Sequence, residues 1–190
     1  MSDTYYVKTF GGLEITNDNV TVNIVELFGK QLVNLLQVLL FHSEKPVQKD
    51  ELIDILWPES KNPSSALKFS IFRLRSELNE IEFFKDKEVI VTTRKGYILN
   101  PNLDWNIDFV ELEKAYNQIN DGSELLDEKE FKTARKIFRL YQGRFYASPS
   151  QLHWILQKQE IFRQMYVKTM MRTSCYLYTQ KRYDEMMLMN

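Results

Sequence analysis

Four cations, Lys61, Lys68, Arg73 and Arg75, fall between residues 60 and 76 with no Asp or Glu among them. A second acid-free stretch, residues 89–101, carries Arg94 and Lys95. The chain's net charge is −1, so these segments are local features rather than part of a basic protein. Segregated positive segments suit a polyanion, whose counterions are released when the cations arrive. Interleaved with the first segment are Ser65, Phe69 and Phe72. Their spacing puts them on one side of a helix. Two readings of the phenylalanines stand: contact with thymine methyl groups, or packing of one of them under a neighbouring hairpin.

Other chemistries are poorly represented. The two histidines, His42 and His153, lie far apart, and no Cys/His cluster has zinc spacing. Gly11-Gly12 sits between β-prone runs with no helix after it, unlike a phosphate loop. Cys175, the one cysteine, rules out an internal disulfide, suits a reducing compartment and reads as packed rather than nucleophilic. No catalytic residue, cofactor or metal site is expected.

The elements that must position the cations can be read from periodicity. Residues 62–78 form a helix with Asn62 as its N-cap and Pro63 at the first helical position. Leu67, Ile71, Leu74 and Leu78 recur within about 60° of one another on a helical wheel and face a core. Ser65, Phe69, Phe72 and Ser76 face the other way, flanked by Lys68 and Arg73. A short helix from residue 48 or 49 to 56 precedes it, stopped by Trp57-Pro58. Two helices joined by a short turn, the second basic, make a helix-turn-helix. Residues 89–100 then form a β-hairpin with Arg94-Lys95-Gly96 at the tip, Gly96 supplying the backbone angle of a tight turn. That hairpin is either a wing beside the recognition helix or an ordinary hairpin with exposed charges.

Before these come short β-prone runs at 5–10, 13–16 and 20–24, read as a small antiparallel sheet, and a buried helix at about 29–42. After Pro101-Asn102 the pattern is helical throughout. Helices are expected at about 106–120, 127–141, 151–179 and from 183, with a loop at 120–123. The turn at 176–186 looks like that of a tetratricopeptide unit. Because a repeat needs neighbours, the chain reads either as a fragment or as having a last helix that pairs with another chain. Trp57 and Trp154 read as core anchors. The methionines at 186–189 read as a soft partner surface or as core. No secretory signal or bilayer-spanning run is present, so no membrane is expected and a cytoplasmic protein is.

In order, Tyr6-Val7-Lys8-Thr9-Phe10-Gly11, Leu56-Trp57-Pro58, Ile71-Phe72-Arg73-Leu74-Arg75, Gly96-Tyr97-Ile98-Leu99, Asn106-Ile107-Asp108-Phe109 and Tyr141-Gln142-Gly143-Arg144-Phe145 resemble one bacterial family. It joins an OmpR-type winged helix to a bacterial transcriptional activator domain, as in the Streptomyces antibiotic regulatory proteins. The resemblance implies an α+β winged helix-turn-helix domain over residues 1–102 and an all-α tetratricopeptide-like domain over 103–190. It implies a sequence-specific activator that binds direct repeats in promoters on double-stranded DNA and contacts RNA polymerase; the small number of cations adds the expectation of a homodimer on repeated half-sites. It suggests Arg73 and Arg75 as contacts to bases or phosphates, with Arg75, nearer the apolar stripe, assigned to phosphate. Lys61, Ser65, Lys68, Phe69, Phe72, Arg94 and Lys95 complete the expected DNA surface. Phe69 and Phe72 depart from the family's polar pattern, and the short turn at 94–96 limits the wing's reach. The competing expectation is a protein-interaction module that binds no DNA.

Overall fold

The structure is a computed structural model and describes residues 4–119, 126–147 and 152–187. Its contacts divide the described chain into two units. One is built on residues 4–7 and Glu14–Trp105. The other comprises Lys8–Leu13, Asn106–Ala147 and the residues from His153 onward.

The first unit begins with strands β1 (Thr4–Lys8), β2 (Glu14–Asn17) and β3 (Val20–Asn23). β2 and β3 form a hairpin whose turn residue Asp18 takes φ +50°, a left-handed angle that Asp tolerates. A fourth strand, β6 (Asp104–Ile107), lies next to β1, giving the order β3-β2-β1-β6. This corrects the all-helical expectation for residues beyond 102. Asp-Trp-Asn-Ile is too short to reveal a strand, and its partner is about a hundred residues earlier in the chain. Asn106, where a helix was expected to begin, is a strand residue. Tyr5 is fully buried here, its ring 4.9 to 6.0 Å from those of Phe83, Phe84 and Trp105.

Helix α1 (Ile24–Leu27) is capped by the Asn23 side chain, which accepts from the Val25 amide. It turns what the sequence suggested as the end of a strand into a helical step. Helix α2 (Lys30–Phe41) is buried from Leu32 to Leu40, the central element its apolar circumference predicts. Helices α3 (Lys49–Leu56) and α4 (Pro63–Asn79) both pack on it and on each other. Strands β4 (Ile90–Thr93) and β5 (Gly96–Leu99) form the hairpin.

The second unit is helical, with α5 (Asp108–Ile119), α6 (Glu128–Leu140), α7 (His153–Thr179) and α8 (Tyr183–Met187). Helix α6 packs on both α5 and α7. The apolar stripe Phe109, Leu112, Ala115 and Ile119 is buried, as are Phe131, Ala134 and Ile137. Asp127 begins α6 with a capping box, its carboxylate accepting from the Glu130 amide while Glu130 accepts from the Asp127 amide. Helix α7 ends with Lys181 at φ +59°. The Arg182 and Lys181 amides donate back to the Leu177 and Tyr178 carbonyls at 2.9 and 3.1 Å. That is a Schellman ending, with lysine where glycine is usual.

Residues 8–13 belong to this helical unit. Phe10 is fully buried against Tyr141, Phe145 and Phe162. Gly11, at φ +87°, donates its amide to the Arg144 carbonyl at 2.9 Å, and a Cβ there would lie 2.7 Å from the Gln142 carbonyl oxygen. The Asp108 carboxylate accepts from the Thr9 amide (2.7 Å), the Thr9 hydroxyl (2.5 Å), the Phe10 amide (3.1 Å) and its neighbour's amide at Phe109 (2.7 Å). Burial pushes this carboxyl above the ordinary carboxylate value, against the opposing pull of those donors.

Cys175 is exposed rather than packed, since it falls between the buried Thr173 and Tyr176 on α7. Met187 is exposed at the end of α8. The expected loop at 120–123, the start of the third helix at 151 and Met189 lie outside the described residues.

Candidate nucleic-acid interface

Helix α4 owes its position to the buried stripe of Leu67, Ile71, Leu74 and Leu78, joined by Ser70. Pro63 stands at its N-terminus as expected. Asn62 occupies the N-cap position, but its side chain makes no capping bond; the Ser60 hydroxyl accepts from the Asn62 amide instead. At φ −133° and ψ 63°, the Asn62 backbone is outside the extended geometry in which a side chain reaches the first-turn amides.

The opposite face is open. Ser65, Lys68, Phe69, Phe72, Arg73 and Ser76 are all exposed, recurring at spacings of one, three and four. Phe69 is 62% and Phe72 69% exposed. Neither packs under the hairpin, so of the two sequence readings only an outward role stands. Lys61 is exposed just ahead of the helix. Arg73 forms an i,i+4 ion pair with Glu77 at 2.8 Å. Both partners are solvated, and such a pair is worth little, so the guanidinium is readily released to another anion.

Arg75 behaves differently. Its Nε and Nη2 donate to the Ile90 carbonyl at 3.1 and 2.8 Å, and Nη2 also donates to Thr92 Oγ1 at 2.8 Å. The side chain is half-buried and staples α4 to the first strand of the hairpin. The phosphate role suggested for Arg75 thus competes with a structural one invisible in a helical wheel, because its acceptors are 15 and 17 residues downstream.

The hairpin is anchored to the body as well. Val47 and Tyr97 exchange backbone bonds of 2.8 and 3.0 Å, an isolated antiparallel bridge beside β5. Gly96 lies where this crossing is tightest. A Cβ on it would sit 1.8 Å from the Val47 carbonyl oxygen, and its φ is +148°. Turn geometry is therefore only part of the reason for glycine, and close approach is the larger part. Thr93, absent from the expected site, organises the tip: its hydroxyl oxygen accepts from the Lys95 and Gly96 amides and donates to the Gly96 carbonyl. A threonine three residues before a turn glycine is the available sequence signal. Arg94 and Lys95 are left exposed at the tip.

Trp57, expected as a core anchor, is half-buried. It lines an open groove of about 450 Å³ with Gly29, Lys30, Ala66, Phe69 and Arg73. Trp57 is the C-cap of α3, at φ −138° and ψ 45°, one residue past the helix. Trp154 is likewise half-buried, its ring edge-on to Phe145 and Tyr146.

Among the described residues, no three His, Cys, Asp or Glu side chains are grouped to hold a metal ion. No described helix is long and apolar enough to cross a membrane.

A helix-turn-helix whose second helix presents an open, cation-flanked face, followed by an anchored hairpin with a cationic tip, is a winged-helix DNA-binding domain. Residues 25–99 match the family model described as "Transcriptional regulatory protein, C terminal". The chain is similar in fold to Mycobacterium tuberculosis EmbR, solved in complex with a low affinity phosphopeptide, at 16% identity and a TM-score of 0.69. The match covers 96% of this chain and 47% of that one, so the present chain spans about half of EmbR's length. The fold, an N-terminal winged helix followed by a mostly helical region, is shared with that protein. The DNA-binding domain of E. coli CadC also matches, at 25% identity and a TM-score of 0.38, over 50% of this chain and 88% of that one. No curated relative matches.

Proposed function

We propose that the chain is a sequence-specific transcriptional activator that inserts α4 into the DNA major groove and rests its wing on the adjacent backbone. The observation that carries this is the exposed stripe Ser65–Lys68–Phe69–Phe72–Arg73–Ser76 on a helix of the matched family, with Arg94 and Lys95 on the wing beside it. Lys61, Lys68, Arg94 and Lys95 neutralise phosphates and Arg73 reaches a phosphate or a guanine edge. Arg75 contributes chiefly by fixing the wing. The domain assignment follows the resemblance: DNA binding by residues 1–102 and an activator domain in 103–190. Cations are few, so affinity comes from a homodimer on direct repeats, the helical half serving dimerisation or RNA polymerase contact. A cytoplasmic, non-enzymatic protein fits this role.

The test is selection of bound duplexes from a random DNA pool by the whole chain, repeated with Arg73→Ala. Enrichment of a repeated short motif that the variant loses supports the proposal and gives the half-site spacing. Recovery of no motif, at low salt and high protein concentration, refutes it. A protein-interaction module is then the better reading, and the Trp57–Phe69 groove the surface to probe.

A further inference from the structure

We infer that the recognition helix reads DNA principally through the 5-methyl groups of thymine, contacted by Phe69 and Phe72, rather than through arginine forks on guanine. This rests on the DNA-binding reading and names what that site would recognise. Bidentate readout of guanine needs Arg or Lys, and of adenine Asn or Gln, at positions that enter the groove. Along the exposed face of α4 those positions are otherwise arranged. Arg75 is bonded inward to Ile90 and Thr92, which leaves Arg73, whose solvated pair with Glu77 is readily exchanged, as the one arginine of the helix able to reach a base. Asn79 sits at the far end, where its Oδ1 accepts from the Asp86 amide.

The two large apolar side chains aimed outward from the middle of the helix are Phe69 and Phe72, flanked by Lys68 and Arg73, with the small Ser65 and Ser76 above and below them. Neither ring is covered, being 62% and 69% exposed. Three residues of helix span about 4.5 Å of axis, against about 3.4 Å per base along a strand. The rings therefore address neighbouring base pairs. The only apolar feature that the major groove offers is the thymine methyl. The surrounding Lys61, Lys68 and Arg73 match a polyanionic partner rather than an apolar protein surface.

The experiment starts from the duplex enriched in the selection above. Each thymine is replaced in turn by deoxyuridine, which removes the methyl and leaves base pairing intact. Dissociation constants are measured by fluorescence anisotropy for the unsubstituted chain, Phe69→Ala and Phe72→Ala. Burying one methyl predicts that uracil at a contacted position weakens binding about fourfold. The effect is expected at one or two neighbouring thymines. It should disappear in one or both alanine variants, whatever those variants do to overall affinity. Equal binding of thymine and uracil duplexes by the unsubstituted chain overturns the inference, as does an enriched motif without thymine or a uracil effect that persists in both variants. Those outcomes leave the DNA-binding reading intact, whereas failure to enrich any motif removes both. The uracil comparison uses the unsubstituted chain, so it does not depend on how the variants fold.

Discussion

Replacing Arg75 by alanine separates the two roles open to this side chain. In the structure its guanidinium makes three bonds, two to the Ile90 carbonyl and one to Thr92 Oγ1. Hydrogen bonds to a charged group contribute roughly 1.5–3 kcal/mol. Because the side chain is only half-buried, we take the lower part of that range, about 2 kcal/mol for the cluster. With a urea slope of about 2 kcal/mol/M, the unfolding midpoint should fall by roughly 1 M. The readout is the fluorescence of Trp57 and Trp105 in a Trp154→Phe background, so that the signal comes from the winged-helix unit. DNA affinity should also fall, because the wing is no longer fixed, but the slope of log affinity against log salt should not change. Loss of a phosphate contact would instead reduce that slope by about 0.9, the result expected for Arg94→Ala. Arg75→Lys should not rescue stability, since an ammonium cannot fork between two acceptors. An unchanged urea midpoint together with a salt slope reduced by about 0.9 would refute the reasoning and return Arg75 to the phosphate backbone.

Three further outcomes are expected. Gly96→Ala forces a Cβ into the Val47 carbonyl and a strained φ onto alanine; it should cost about 3 kcal/mol or more and raise amide exchange at Val47 and Tyr97. Glu77→Gln frees the second arm of Arg73 and removes a negative charge beside the groove-facing surface, so DNA affinity should rise a few-fold at low salt, an effect that fades as salt is added. Asp108→Asn presents an amide N–H to donors that now meet a carboxylate; chemical denaturation should show a loss of about 2–4 kcal/mol. Because the Asp108 carboxyl titrates above its ordinary value in the fold, the folded state takes up the proton first. The native chain's stability then falls as pH rises through that raised value, and its advantage over Asp108→Asn is largest at acid pH.

The parts of this molecule that could be read from its sequence are those governed by short periods. The stripe Leu67–Ile71–Leu74–Leu78 fixes which face of α4 is buried, and so which face is offered. The order of basic helix and cationic hairpin was equally visible. What was hidden depends on partners distant in the chain. Strand β6 exists because β1 is there to receive it, and nothing in four residues announces that. Gly96 looked like a turn residue, yet Val47 supplies its strongest constraint. The wheel placed Arg75 nearer the apolar stripe and assigned its guanidinium to phosphate; only the folded hairpin shows which protein acceptors it meets. Asn62 has the right residue type for a cap and the wrong backbone angles to serve as one.

The excursion of residues 8–13 into the helical unit bears on how this architecture can be exchanged between genes. A cut at residue 102 looks clean along the chain, yet it would part the helical half from Phe10, whose ring fills the space among Tyr141, Phe145 and Phe162. It would also leave the Asp108 carboxylate without the three donors of Thr9 and Phe10. A buried acid stripped of its partners is strongly unfavourable. Recombination that pairs this winged helix with a foreign C-terminal half must therefore carry a compatible six-residue insert near the N-terminus, or lose the helical core. Inheritance of the two halves is tied together by a segment that belongs in sequence to one and in structure to the other.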